Sequence, residues 1–298
     1  MMTRYATLFL LSLLFTLSQS CVVYDGQQAI DEASRQLVRD FYADDASIAE
    51  SVSVLLDWYQ SEGAELLEPR IHPVVLADLE PEDLKPFNLQ DQGLRDPTLT
   101  TGVIEMQPID CNWYDIEHLM VHPDQAAVLP GAFDSYERTF EDSLQTYLED
   151  VPHVPYIDEP LHPELQAADP QARPDVLLRT VNDGVVKEGG MSFDYHTVVH
   201  FRHSLVDING EHTALTMALS HLPNAVESDS TVVVEQSYGL EMVIERDSGQ
   251  SIRAMMLWNY VTMPGIGPDS DMWPGTMVGK MRSTADRLSE LCVEGLPL

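Results

Sequence analysis

The chain has 298 residues, with 49 acidic against 16 basic side chains and a formal net charge of −33 at pH 7. Such a surface repels nucleic acid and anionic lipid headgroups, because affinity for either is built on Lys and Arg, and lysine occurs only at Lys85, Lys187 and Lys280. The hydrophobic fraction, 44%, is ordinary for a globular chain, so wholesale disorder is excluded as well.

The first 20 residues contain Arg4, no acid and a short apolar run over 8–15. That run is too short to span a bilayer, which takes roughly 20 apolar residues. A basic start, a short apolar stretch and small residues form the pattern of a secretory signal over 1–20. The segment Leu17-Ser18-Gln19-Ser20-Cys21 resembles the lipobox of bacterial lipoproteins, although the leucine stands four residues before the cysteine instead of three. The resemblance implies that Cys21 becomes an acylated N-terminus, palmitate being one such chain, and anchors the protein to the membrane of the cell envelope on its periplasmic or outer surface. Two or three chains anchor stably, whereas one binds marginally. The alternative is a signal-peptidase cut after Ser18-Gln19-Ser20, which gives a secreted or soluble periplasmic protein. With Cys21 modified, Cys111 and Cys292 remain as an even pair in an oxidising compartment and are candidates for a disulfide or for two buried thiols.

Residues 21–99 read as a helical segment and a connecting arm. Ile30, Leu37 and Phe41 share one helical face, and Ile48, Val52, Leu55 and Tyr59 share a second. Gly63 suits a C-terminal cap. Residues 64–99 are irregular and proline-rich. Residues 102–108 (GVIEMQP) suggest a strand, 114–150 look mainly helical with breaks at Pro123 and Pro130-Gly131, and 151–174 hold six prolines and form a loop or arm.

The C-terminal half alternates. Phe193, Tyr195, Thr197, Val199, Phe201, His203 and Leu205 take the odd positions of one run, and Thr213, Leu215, Met217, Leu219 and His221 those of the next. This is the period of half-buried strands. Between them Asn209-Gly210 signals a hairpin. A three-residue loop over 208–210 pairs Val199 with Leu219 and keeps both apolar faces together. By the same logic a loop at Asp247-Ser248-Gly249 pairs Ile244 with Ile252 and Tyr238 with Trp258. Asn182-Asp183-Gly184 and Glu188-Gly189-Gly190 read as earlier turns, giving an antiparallel meander over about 175–263. A last helix begins near Pro274, carries Met277, Met281, Leu288, Leu291 and Cys292 as a stripe, and ends at Gly295.

The fold class that follows is α+β: N-terminal helices, then a curved antiparallel meander packed on a long C-terminal helix. Over 100–298 this order resembles the START-type helix-grip domain, in which a curved sheet wraps the last helix. The resemblance implies a cavity for a hydrophobic small molecule between sheet and helix. His203, His221, Tyr238, Trp258 and Tyr260 are the candidate wall, with core packing as the alternative.

Other constellations are weaker. His118 and His122 stand four apart, a spacing that zinc sites use on a helix, with Asp115 as a possible third ligand. Asp194, His196, His200 and Arg202 share the polar face of a strand. No nucleophile elbow, phosphate loop or dinucleotide fingerprint appears, so no catalytic residue and no cofactor is assigned. The expectation is an exported, lipid-anchored protein that binds a hydrophobic small molecule. The alternatives are a structural or protein-interaction lipoprotein without a cavity, and a metal-dependent enzyme.

Overall fold

Runs rich in Val, Thr and aromatic residues build an antiparallel sheet of nine strands among the described residues of the computed structural model. Those residues are 26–63, 74–89, 95–144, 177–188, 191–229, 232–246, 249–265 and 272–294. The signal segment, Cys21 and the arm at 151–174 lie outside them. The strands are β1 (Val74–Leu76), β2 (Thr101–Ile109), β3 (Phe133–Phe140), β4 (Leu177–Glu188), β5 (Met191–Ile208), β6 (Glu211–His221), β7 (Val226–Glu227), β8 (Val233–Glu245) and β9 (Ser251–Thr262). Their order is β1-β2-β9-β8-β6-β5-β4-β3, with β7 added to β8. The meander from β4 to β9 occupies the span expected from the alternation.

Register differs from expectation at one hairpin and agrees at the other. The β5–β6 turn has two residues, with Ile208 opposite Glu211. Asn209 and Gly210 take φ values of 55° and 87°, the left-handed pair that a tight hairpin needs, and Asp207 Oδ1 accepts from Gly210 N at 2.7 Å. Val199 therefore faces Ser220, not Leu219. The longer loop was inferred from the need to keep one apolar face, and that need is absent here because both faces of the sheet are covered. In the β8–β9 hairpin Ile244 pairs with Ile252 and Tyr238 with Trp258, as the alternation requires.

Two local readings are corrected. Residues 133–140 form a strand instead of a helix; the helices of this region are α3 (Trp113–Met120) and α4 (Gln125–Val128). Asn182-Asp183-Gly184 lies inside β4. There Gly184 serves close approach and not turning, since a Cβ at this position would sit 2.1 Å from the Ser135 carbonyl oxygen.

Residues 27–58 and 81–87 contribute one of two layers that sandwich the sheet. Helices α1 (Gln27–Arg39) and α2 (Asp45–Trp58) and the 3-10 turn Pro81–Phe87 pack Ile30, Leu37, Phe41, Ile48, Val52, Leu55 and Leu84 against Met217, Leu219, Leu240, Met256 and Trp258. Asp44 caps α2 by accepting from Ala46 N and Ser47 N at 3.1 Å. One buried cation ties this layer down. Arg202 of β5 donates to the carbonyls of Phe41 (2.7 Å) and Ala43 (2.6 Å), to Asp45 Oδ1 (2.8 Å) and to Ser204 Oγ (3.0 Å). It thereby satisfies the carbonyls that the α1–α2 turn leaves free of helical bonding.

The other face carries α3 and α5 (Met272–Glu294), whose Met277, Met281, Leu288 and Leu291 are buried. A disulfide joins Cys111, just before α3, to Cys292 in the last turn of α5, with a Cα separation of 5.6 Å and a sequence separation of 181. In the chain-entropy picture a loop of that length stabilises the fold by about 5 kcal/mol.

Arg202→Ala is expected to lower the unfolding free energy by about 3 kcal/mol, because it leaves Asp45 and two inward carbonyls without their donor. Urea unfolding followed by tryptophan fluorescence checks this.

Candidate functional site

Register across the sheet defines the face beneath α3 and α5. One row runs His203, Thr216, Val243, Arg253, Gln107, and the next runs Phe201, Ala218, Glu241, Met255, Glu105. A third runs Val199, Ser220, Gly239, Leu257, Val103. Charged and hydroxyl side chains are thus interleaved with apolar ones on a surface that helices cover. The opposite face presents Leu215, Met217, Leu219, Leu240, Met242, Ile244, Met256 and Trp258 to α1 and α2 and is almost wholly apolar.

Three polar groups occupy the face under α3 and α5. In the first, Arg282 of α5 donates from Nε to Glu105 Oε1 at 2.6 Å. Arg253 donates from Nε to Glu241 Oε1 at 2.5 Å and from Nη1 to the Met281 carbonyl at 3.0 Å. Burial pushes the Glu105 carboxyl above its ordinary range, and Arg282 and Arg253 oppose the shift. Glu105 Oε2, Gln107 Nε2 and Arg282 Nη2 are buried and make no hydrogen bond.

In the second group, Glu117 of α3 is fully buried, and its Oε1 lies 3.7 Å from His203 Nδ1. Thr216, directly opposite His203, has a buried hydroxyl without a hydrogen-bond partner. In the third, Asn182 Oδ1 accepts from Tyr136 OH and Arg138 Nε, both at 2.7 Å, while Arg138 Nη1 reaches the carbonyls of Met120 and His122. Burial raises the Tyr136 hydroxyl and lowers the Arg138 guanidinium. Arg138 therefore anchors the end of α3 to β3.

The five residues expected as one cavity wall fall on two faces. His203 lies under α3. His221, Tyr238 and Trp258 face the N-terminal layer, where the Phe87 ring stands 5.5 Å from His221 and 5.1 Å from Tyr238. Trp258 Nε1 donates to the Ala77 carbonyl at 3.0 Å, Tyr238 OH donates to Gln236 Oε1 at 3.0 Å, and Tyr260, two residues beyond Trp258, follows it in register. The two-residue turn separates the histidines, because it pairs odd with even positions. Glu105, Gln107, Glu117, Glu241, Arg253 and Arg282 were not singled out from the sequence. The alternation of Val103, Glu105 and Gln107 with Ile104 and Met106 was the available signal.

His118 and His122 do not share a helical face, since α3 ends at Met120. His122 Nδ1 accepts from Asp124 N at 3.1 Å, the His118 ring lies 4.3 Å from that of Tyr114, and Asp115 is engaged by Asn112. Among the described residues no three His, Cys, Asp or Glu side chains converge as a metal cluster. The Asp194–Arg202 series grades from exposed to buried as β5 passes under α2. His196 Nδ1 meets Asp183 Oδ1 at 2.6 Å, and the His200 ring meets Tyr42 OH at 2.7 Å.

No protein-family model and no curated protein matches the chain. Solved structures that resemble it include a START superfamily protein from Mycobacterium smegmatis, at 11% identity over 65% of this chain and 97% of that one, with a TM-score of 0.32. Norcoclaurine synthase from Thalictrum flavum matches at 15% identity over 67% and 90%, with a TM-score of 0.32. The human StarD13 lipid transfer and protein localization domain matches at 10% over 67% and 80%, with a TM-score of 0.34. The helix-grip α+β fold of this chain rests on its own strand order and on the seating of α5 across β2 and β9.

Burial, and next the nearby charge of Arg179, lower the His200 pKa from 6.5 to about 4. The unfolded chain takes up this proton near 6.5, so the stability tied to neutral His200 is present above that value and lost as pH falls towards 4. His200→Gln is expected to flatten the rise of stability between those two values by about one proton's worth of slope, as read from urea unfolding across the pH series.

Proposed function

We propose that this protein is an exported lipoprotein, anchored through acylated Cys21, that holds a hydrophobic small molecule between the sheet and helices α3 and α5. The observation that carries the reading is the set of buried polar atoms on that face with no hydrogen-bond partner: Thr180 Oγ1, Thr216 Oγ1, Gln107 Nε2 and Glu105 Oε2. Nearly all buried polar groups in folded proteins are satisfied. A face that leaves several open, interleaved with Val199, Phe201, Ala218 and Leu257, suits a molecule with an apolar body and a few polar atoms. The opposite face supports the same choice of side by exclusion, because α1, α2 and the 3-10 turn already fill it.

Native mass spectrometry of residues 22–298, exported to a bacterial periplasm and purified without detergent, is expected to give one apolar ligand per chain. Ala218→Phe crowds the floor of the site and is expected to displace that ligand at a cost of about 1–3 kcal/mol in stability. A bare mass in the unsubstituted chain overturns the binding reading.

The anchor has a separate test. The chain carrying Cys21→Ser should move from the membrane fraction to the soluble envelope fraction, and an unchanged distribution removes the lipoprotein assignment.

A further inference from the structure

We infer that the polar end of the bound molecule is a neutral hydroxyl, seated among Glu105, Gln107 and Arg282 at the seam between β2 and α5. This rests on the ligand-binding reading above and gives the ligand a class: an alcohol with an apolar body.

Glu105 is 2% exposed and lies on the face beneath α5. One of its oxygens takes Arg282 Nε at 2.6 Å, and the other, Oε2, is buried without a hydrogen bond. Gln107 stands two residues along β2, so its side chain leaves the same face about 7 Å away at the backbone. Its Nε2 and the Nη2 of Arg282 are also buried and without partners. The group therefore lacks one donor, for the carboxylate, and an acceptor for two N–H groups. A hydroxyl supplies one O–H donor and two acceptor lone pairs.

Charge sets the choice among polar head groups. Two carboxylates, Glu105 and Glu241, face two guanidiniums, Arg253 and Arg282, in two ion pairs. The set is already neutral. A ligand carboxylate or phosphate would be buried without a counter-charge, and an ammonium would leave the two N–H donors unmet. Around the charged pairs lie Val103, Leu257, Met255, Met277 and Met281. Methionine fills irregular gaps and adapts to different apolar shapes.

The test is titration of the exported mature chain carrying Cys21→Ser with 1-dodecanol, dodecanoate and dodecane at neutral pH. Dodecanol is expected to bind about tenfold or more tightly than either of the other two. Glu105→Gln turns the open acceptor into a donor and should abolish that preference. Gln107→Met removes one donor without touching the ion pair, should shrink the preference, and keeps the question decidable if Glu105→Gln does not fold. Equal binding of all three probes overturns the hydroxyl site, assigns the open atoms to an internal water, and leaves the apolar carrier standing. A preference for dodecanoate overturns it in favour of an anionic head group. Binding of none removes the carrier reading and this inference with it.

Discussion

The two-residue turn at Asn209-Gly210 decides which chemistry each face of the sheet carries. A strand exposes alternate residues to opposite sides, so changing a hairpin loop by one residue exchanges every side chain of one partner between faces. With Asn209 and Gly210 both left-handed, Leu215, Met217 and Leu219 join Leu240, Met242 and Trp258 on one side. Thr216, Ala218 and Ser220 join His203, Phe201 and Val199 on the other. The first side is so apolar that it has to be covered, and the N-terminal helices cover it. Arg202 is a large charged side chain that enters that layer fully buried. It is tolerated because four acceptors from the helical hairpin and its own strand meet it. The helices therefore dock in one position along β5 and do not slide over a greasy surface.

The second side is built on the opposite principle. Helix α5 rests on the sheet partly through Met277, Met281 and Ala285, but it is located by Arg282 on Glu105 and by its Met281 carbonyl on Arg253. Buried ion pairs add little net stability, since desolvation offsets much of their attraction. Their value is positional, because a helix displaced by one residue would part Arg282 from Glu105 and take the Met281 carbonyl from Arg253. Glu117 and His203 give α3 a comparable polar contact, and Arg138 holds the carbonyls at its C-terminal end. The sheet thus has one face that closes a core and one on which polar groups specify where the helices sit.

Much of this organisation is legible in the chain. The stripes on α1 and α2, the last helix, the span of the meander and the β8–β9 register all follow from periodicity, because each rests on a continuous run of one period. The reading fails where the sheet is covered twice. Double coverage removes the requirement that apolar residues share a face, so the β5–β6 register could not be inferred from alternation, and His203 was grouped with His221. Residues 133–140 (FDSYERTF) form a strand that pairs with β4, and their charged residues resemble the exposed face of a helix. Asn182-Asp183-Gly184 has the composition of a turn, yet there Gly184 admits the neighbouring strand. The charged groups under α5 come from β2, β8, β9 and α5, with Glu105 and Arg282 177 residues apart along the chain, and only the assembled sheet brings them together.

The bond between Cys111 and Cys292 has one further consequence. It closes a ring that contains α3, α4, every strand from β3 to β9, and nearly all of α5. A protease that cuts this ring once, at the exposed Asn209-Gly210 corner or in the proline-rich stretch at 151–174, opens the ring without releasing a piece. Both halves stay in one molecule until the disulfide is reduced. Nicking and loss of the chain are then separate events. The clipped molecule keeps its mass apart from one added water, and the disulfide keeps its two parts tethered side by side.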